Sequence, residues 1–184
     1  YVHDFGPTLS AWGSAQFLQG IETLNLRMRR HSDSALEVAR FLDAHPAVSH
    51  VHHPGLEANQ WYETAQRYLP KGVSAVFSFD LAPSGDADLD WTRVQQVVDG
   101  LEVVKLVANI GDARSLVTHP ASMTHSHLTA EQAADAGITP TTIRLSIGLE
   151  EPADIVADLT RSLDAAFTAH PAASADLAAW MPAI

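Results

Sequence analysis

Two periods interleave along this 184-residue sequence, and that interleaving limits what it can fold into more than any other feature. In "GVSAVFSFDL" (72–81) Val73, Ala75, Phe77, Phe79 and Leu81 recur at every second position. In "TTIRLSIGLE" (141–150) Ile143, Leu145, Ile147 and Leu149 alternate with Arg144, Ser146 and Gly148. A period of two puts one side of a strand into a core and leaves the other side polar. "AVSHVHHPG" (47–55) reads as a short strand stopped by Pro54-Gly55, and "EVVKLVANIG" (102–111) as a strand running into a loop. Between these lie segments of helical period: 59–70; 86–101, with Asp88 as its cap; and 150–167, with Pro152 in its first turn and Ile155, Leu159, Leu163 and Phe167 inward. The expectation is an α/β (α+β) chain with a sheet of about four strands covered by helices on one face. The other face, carrying Ser, Asp, Arg and Gly, is either wet or a seat for another domain.

The region before the first strand is helical from Leu9 to about His45, with Leu18, Ile21, Leu24, Met28, Leu36, Ala39 and Leu42 at three- and four-residue spacing. A single helix of that length is unusual in a small domain, so a break is expected near Gly20 or around His31–Ser34, and Pro46 stops the helix. The expected organisation is a helical inter-domain segment over 1–45, a sheet-and-helix domain over 46–169 and an Ala- and Pro-rich tail over 170–184 carrying Leu177, Trp180 and Met181.

Composition removes several classes of function. The net charge of −11 comes from 22 acidic and 11 basic residues. Arg27, Arg29 and Arg30 form the only basic run, so a nucleic-acid partner is not expected. No apolar run approaches the roughly 20 residues of a membrane span, and no signal-peptide pattern opens the sequence. The absence of cysteine removes disulfides and thiolate metal sites, and the simplest expectation is a cytoplasmic protein. The first residue is Tyr1 and not methionine, from which the chain is expected to be a piece of something longer.

Two features carry candidate chemistry. Arg144 sits in mid-strand, facing either solvent or an anion. The segment 109–140 is long for a connection, and Asn109-Ile110-Gly111-Asp112 has turn chemistry, with Gly111 free to take a positive φ. Histidines follow at 119, 125 and 127, and others cluster at 50, 52 and 53. Such pairs can bind zinc or copper, but no carboxylate has ligand spacing. The expectation is no metal, with the histidines capping turns and bonding backbone; a histidine-based metal hydrolase is the corresponding alternative.

"NIGDARSLVTHPASMTH", "GITPTTIRLSIGLEEPADIVADLTRSL", "LQGIETLNLRMRRHSDSALEVARFLDAHPAV", "HPGL" and "RYLPKGVSAVFSF" together resemble the C-terminal part of the Cys/Met-metabolism family of pyridoxal-phosphate enzymes, in the same order and over nearly all of residues 4–168. Within the family, Asn-x-Gly-Asp at 109–112 and Leu-Pro-Lys-Gly at 69–72 resemble the O-acetylhomoserine sulfhydrylase branch. The resemblance implies the smaller C-terminal domain of a fold-type I transferase. It also implies replacement of acetate in O-acetyl-L-homoserine by sulfide or methanethiol, giving homocysteine or methionine. It places Arg144 at the family arginine that binds the substrate α-carboxylate, Asn109 beside substrate and cofactor lysine, and Thr124 in the substrate pocket.

Pyridoxal 5'-phosphate would be bound mainly by an N-terminal domain outside this sequence, and the family's homotetramer is likewise implied. Lys71 and Lys105, the two lysines, stand outside the Ser-x-Thr-Lys context of the family's Schiff base. No catalytic or cofactor-binding residue is therefore expected in this chain, which should be inactive alone. Cystathionine γ-synthase or lyase chemistry, O-succinylhomoserine sulfhydrylase chemistry and a non-catalytic interaction module are the alternatives.

Overall fold

A computed structural model describes residue 6 and residues 8–169; the tail residues Leu177, Trp180 and Met181 lie outside the described residues. Helix α1 (Ala11–Glu22) begins at Ser10, whose hydroxyl accepts the Gly13 N–H at 3.1 Å. It is followed directly by α2 (Leu24–Asp43). The break expected near Gly20 or His31–Ser34 falls at Thr23, where φ is −105°. The Arg27 guanidinium bridges that corner, donating to the Gly20 carbonyl at 2.9 Å and to the Thr23 hydroxyl. No residue of α1 is buried, and Trp12, Phe17, Leu18 and Ile21 face outward.

The chain then forms β1 (Val48–His52), α3 (Tyr62–Tyr68), β2 (Val76–Leu81), α4 (Ala87–Gly100), β3 (Lys105–Leu106), β4 (Leu116–Thr118), α5 (Ala130–Asp135), β5 (Thr142–Ser146) and α6 (Pro152–Ala169). The sheet has five strands in the order β1-β2-β5-β4-β3, one more than expected. Among the described residues, only the β3–β4 pair is parallel. The added strand, β4, lies inside 109–140, which had read as one loop. All three of its residues are buried, so it shows no alternation to betray it.

The expected strand over 102–111 shrinks to Lys105–Leu106. Its opening residues have another partner: the Asp158 carboxylate on α6 accepts the N–H groups of Glu102, Val103 and Val104 at 2.8 to 3.2 Å. The α4 cap is Asp86, not Asp88. Asp86 has the extended backbone a cap requires, and its carboxylate accepts the N–H groups of Asp88 and Leu89.

The core lies on one face of the sheet. Val51, Phe77, Phe79, Val117, Ile143 and Leu145 enter it from the strands; Val38, Leu42, Val94, Val97, Leu159 and Leu163 enter it from α2, α4 and α6. The second half of α2 thus belongs to this core together with the sheet. Burying a side chain of Leu or Phe size contributes about 1.5–3 kcal/mol, so this single face accounts for most of what holds the sheet in place. Ile155, Leu159, Leu163 and Phe167 all point inward, as their spacing predicts. One core residue runs against composition: Arg93 is fully buried in α4, its guanidinium 4.4 Å from the centre of the Phe167 ring.

Candidate active site

The opposite sheet face is polar, and its rows follow from register. Ser78 on β2, Arg144 on β5 and Thr118 on β4 are direct cross-strand neighbours. Arg144 is half-buried, and its Nε has no hydrogen-bond partner among the described residues; neither does the buried Thr118 hydroxyl beside it. A buried N–H without an acceptor is costly, so this pair is a place where an added oxygen would be stabilised. The arginine opens on a cleft of about 400 Å3, bounded by Ser78, Thr142 and Arg144 from the sheet and by Pro120, His125 and Ile138 from the connection that returns to β5. A second cleft of about 770 Å3 shares His52, His125, Gly137 and Ile138 with it and runs on to Trp91 and Leu128.

Neighbouring polar groups on this face are already paired. The Asp80 carboxylate accepts the Thr142 hydroxyl at 2.5 Å and stands 2.7 Å from His52 Nε2. No ion pair joins it to Arg144 among the described residues. A guanidinium with open donors at the mouth of a cleft suits a carboxylate, which meets a planar fork with two charge-assisted hydrogen bonds.

The other two candidate residues lie on the flanking connections. Asn109 is exposed in the turn between β3 and β4, its N–H donating to the Val107 carbonyl at 2.9 Å. Gly111 has φ +75°, the positive value its place in the turn calls for, and its N–H reaches Ser146 Oγ on β5 at 3.3 Å. Thr124 is half-buried, with its hydroxyl 2.8 Å from Nδ1 of His125, a wall of the Arg144 cleft. The fold therefore brings the Asn109 turn and the Thr124 segment to the strand that carries Arg144, one at each end. No hydrogen bond links the three side chains directly among the described residues.

His119 bonds backbone, as expected of the loop histidines. It is buried: Nε2–H donates to the Pro140 carbonyl at 2.9 Å, which leaves Nδ1 to accept the Ser122 hydroxyl at 2.8 Å. Burial pushes this imidazole below its ordinary pKa, against the opposing effect of the Pro140 carbonyl. It holds the turn before Thr124 to the entrance of β5. His53 Nε2 donates to the Ser74 carbonyl at 3.1 Å, and His53 Nδ1 accepts the Gly55 N–H at 3.0 Å. These histidines bond backbone and hydroxyl groups, and among the described residues no cluster of three or more His, Asp or Glu side chains could hold a metal ion.

The fold and this face define a sheet-and-helix unit with one guanidinium, Arg144, on the cleft side of its sheet. The family described as Cys/Met metabolism PLP-dependent enzyme matches residues 1–164. Over 163 residues the chain is 45% identical to the O-acetyl-L-homoserine sulfhydrylase of Leptospira meyeri, a match covering 88% of this chain and 36% of that enzyme. A crystal structure described as an O-acetylhomoserine (thiol)-lyase from Campylobacter jejuni, containing N'-pyridoxyl-lysine-5'-monophosphate, superposes with a TM-score of 0.79 at 38% identity, over 89% of this chain and 37% of that one. The cystathionine gamma synthase of Xanthomonas oryzae pv. oryzae in complex with cystathionine gives 0.77 at 37% identity, over 90% of this chain and 41% of that one. The chain belongs to the Cys/Met-metabolism family of PLP-dependent enzymes, and it spans well under half the length of these relatives.

Pyridoxal phosphate is that family's cofactor. The residues lining the two clefts include one guanidinium, Arg144, and no lysine. Lys71 is exposed in the turn before β2, and Lys105 on β3 donates to the Glu102 carbonyl. A planar guanidinium like that of Arg144 suits a carboxylate. Among the described residues, no helix is long and apolar enough to cross a membrane.

Proposed function

We propose that this chain supplies the amino-acid clamp of a PLP-dependent sulfhydrylase. The reaction replaces the acetate of O-acetyl-L-homoserine by sulfide or methanethiol, so that a C–S bond forms, a C–O bond breaks and acetate departs with its electron pair. Arg144 receives the α-carboxylate, Asn109 closes on the same end of the substrate, and Thr124 borders the side-chain path. Fixing the carboxylate on a rigid strand orients the rest of the amino acid toward a PLP domain N-terminal to this chain. The apolar face of α1 is where that domain packs, and the assembled enzyme is a cytoplasmic homotetramer.

The single observation that supports this most is the half-buried Arg144, whose Nε, like the adjacent Thr118 hydroxyl, has no hydrogen-bond partner among the described residues. The test uses the full-length enzyme. Arg144→Ala should lower kcat/KM for O-acetylhomoserine by about 30- to several thousand-fold, equivalent to about 2–5 kcal/mol. Arg144→Lys, which keeps charge but loses the fork, should also be impaired, while cofactor absorbance stays normal. An O-acetylhomoserine analogue with a neutral amide in place of the carboxylate should serve wild type and Arg144→Ala about equally poorly. Near-normal kcat/KM in Arg144→Ala refutes the assignment. The likeness to a cystathionine gamma synthase keeps a second reading in play; O-succinylhomoserine as donor and cysteine as acceptor, assayed beside acetyl donor and sulfide, separate the two.

A further inference from the structure

Glu150 lies four residues beyond the strand of Arg144, and its carboxylate turns back into the protein. Oε1 accepts the Ser115 N–H and Oε2 accepts the Ser115 hydroxyl, both at 2.8 Å. The Ser115 oxygen in turn accepts the Gly148 N–H at 2.8 Å, and Leu149 N–H donates to the Ala113 carbonyl at 2.8 Å. Ser115 is fully buried. The two backbones approach so closely at Gly148 that an added Cβ would lie 2.4 Å from the Arg114 carbonyl carbon.

All these bonds join residues 113–115, at the end of the Asn109 turn, to residues 148–150, just past Arg144. The β4–β5 ladder, with Leu116 opposite Ser146 and Thr118 opposite Arg144, ties the chain to the strand just after Ser115, but nearer Asn109 the ties are fewer. β3 pairs with β4 over two residues, and the Gly111–Ser146 bond is long at 3.3 Å. A carboxylate gripping both the N–H and the hydroxyl of one serine is the strong element, since charge-assisted bonds are about twice as strong as neutral ones.

The geometry points to Glu150 as a positioning residue: with Ser115 it sets the separation between the Asn109 turn and Arg144, and so the fit of the substrate's carboxylate end. This rests on the reading of Arg144 and Asn109 given above. Its effect reaches substrate only through those two side chains, and a displacement of about 1 Å at such contacts is enough to cost up to about a hundredfold in rate.

Full-length holoenzyme bearing Glu150→Gln, and separately Ser115→Ala, tests this. Faster amide exchange at Ser115 or Gly148 shows that the latch has opened. KM for O-acetylhomoserine should then rise about tenfold, while KM for sulfide and cofactor absorbance stay unchanged. In an Asn109→Ala background, Glu150→Gln should add less than about twofold, because the group it positions is gone. An equal loss in both backgrounds, or an unchanged KM with the latch open, overturns the inference. Should Glu150→Gln fail to fold, Ser115→Ala carries the same KM comparison. If Arg144→Ala and Asn109→Ala are both harmless, the functional reading fails and takes this inference with it; if both are damaging and the latch variants are not, this inference alone fails.

Discussion

Asp158 offers the sharpest test of how the helix layer is tied to the sheet. Its side chain is almost wholly buried on α6, and it acts on a segment 54 or more residues earlier in sequence. Oδ1 accepts the Glu102 N–H at 2.9 Å and Oδ2 accepts those of Val103 and Val104 at 2.8 and 3.0 Å, while the Arg161 guanidinium lies 2.5 Å from Oδ1. Asp158→Asn replaces one of these oxygens by an amide that cannot accept, so one or two backbone donors lose their partner. A hydrogen bond to a charged group contributes about 1.5–3 kcal/mol, and water can reach the exposed Glu102 but not the buried Val104. The expected destabilisation is about 3 kcal/mol.

Burial alone would push the Asp158 carboxyl up, but the Glu102, Val104 and Val103 N–H groups together with Arg161 outweigh it and hold the carboxyl below its ordinary 3.8. A depressed carboxyl gives stability that is complete above about pH 3.8 and is lost as pH falls through the lower folded value. Hydrogen exchange over residues 101–106 and urea midpoints, each at pH 7 and pH 3, read both effects. Unchanged protection at Val103 and Val104 in Asp158→Asn, with a midpoint shift worth less than about 0.5 kcal/mol, refutes the reasoning.

Other expectations follow from single sites. Leu159→Ala, at a fully buried position, should cost about 2–5 kcal/mol in urea unfolding with an unchanged m-value. Gly148→Ala must displace backbone at Arg114 and Ala113, so its melting temperature should fall by the equivalent of about 1–3 kcal/mol, whereas Gly20→Ala, whose Cβ meets nothing within 4 Å, should leave it level or raised. His45, His53 and His119 are each pushed below their ordinary 6.5, chiefly by burial. A histidine held neutral in the fold stabilises fully above the unfolded pKa and loses that stability as pH falls through its folded value. Urea midpoints should therefore drop as pH falls below about 6.5, and His53→Gln should flatten that slope.

Period-two patterning carried β2 and β5 because each has one face in the core and one face polar. The inward set of α6 was equally plain, since its apolar residues repeat with the helical turn. β4 escaped notice because Leu116, Val117 and Thr118 are covered on both sides, so nothing alternates. The shortening of β3 could not be foreseen, because the competitor for its N–H groups is a carboxylate on a helix that comes much later in the chain. Arg144 stood out as a cation in a strand, but the lack of an acceptor at its Nε among the described residues is a property of the folded face, not of neighbours in sequence. Glu150 stayed hidden for the same reason: its partner is Ser115, and nothing in residue type distinguishes a latch from an exposed acid.

Strand β5 also constrains how a family built on it can change. Ile143 and Leu145 fill the core while Arg144 between them faces the cleft, so the gain or loss of one residue upstream in the strand would turn the guanidinium into the core and a leucine outward. Length is therefore locked from Thr141 to Gly148, where the latch to Ser115 begins. The stretch from Ala121 to Ile138, which walls the clefts from outside the sheet, is under no such lock. Insertions and deletions are free to accumulate there, leaving Arg144 where it is.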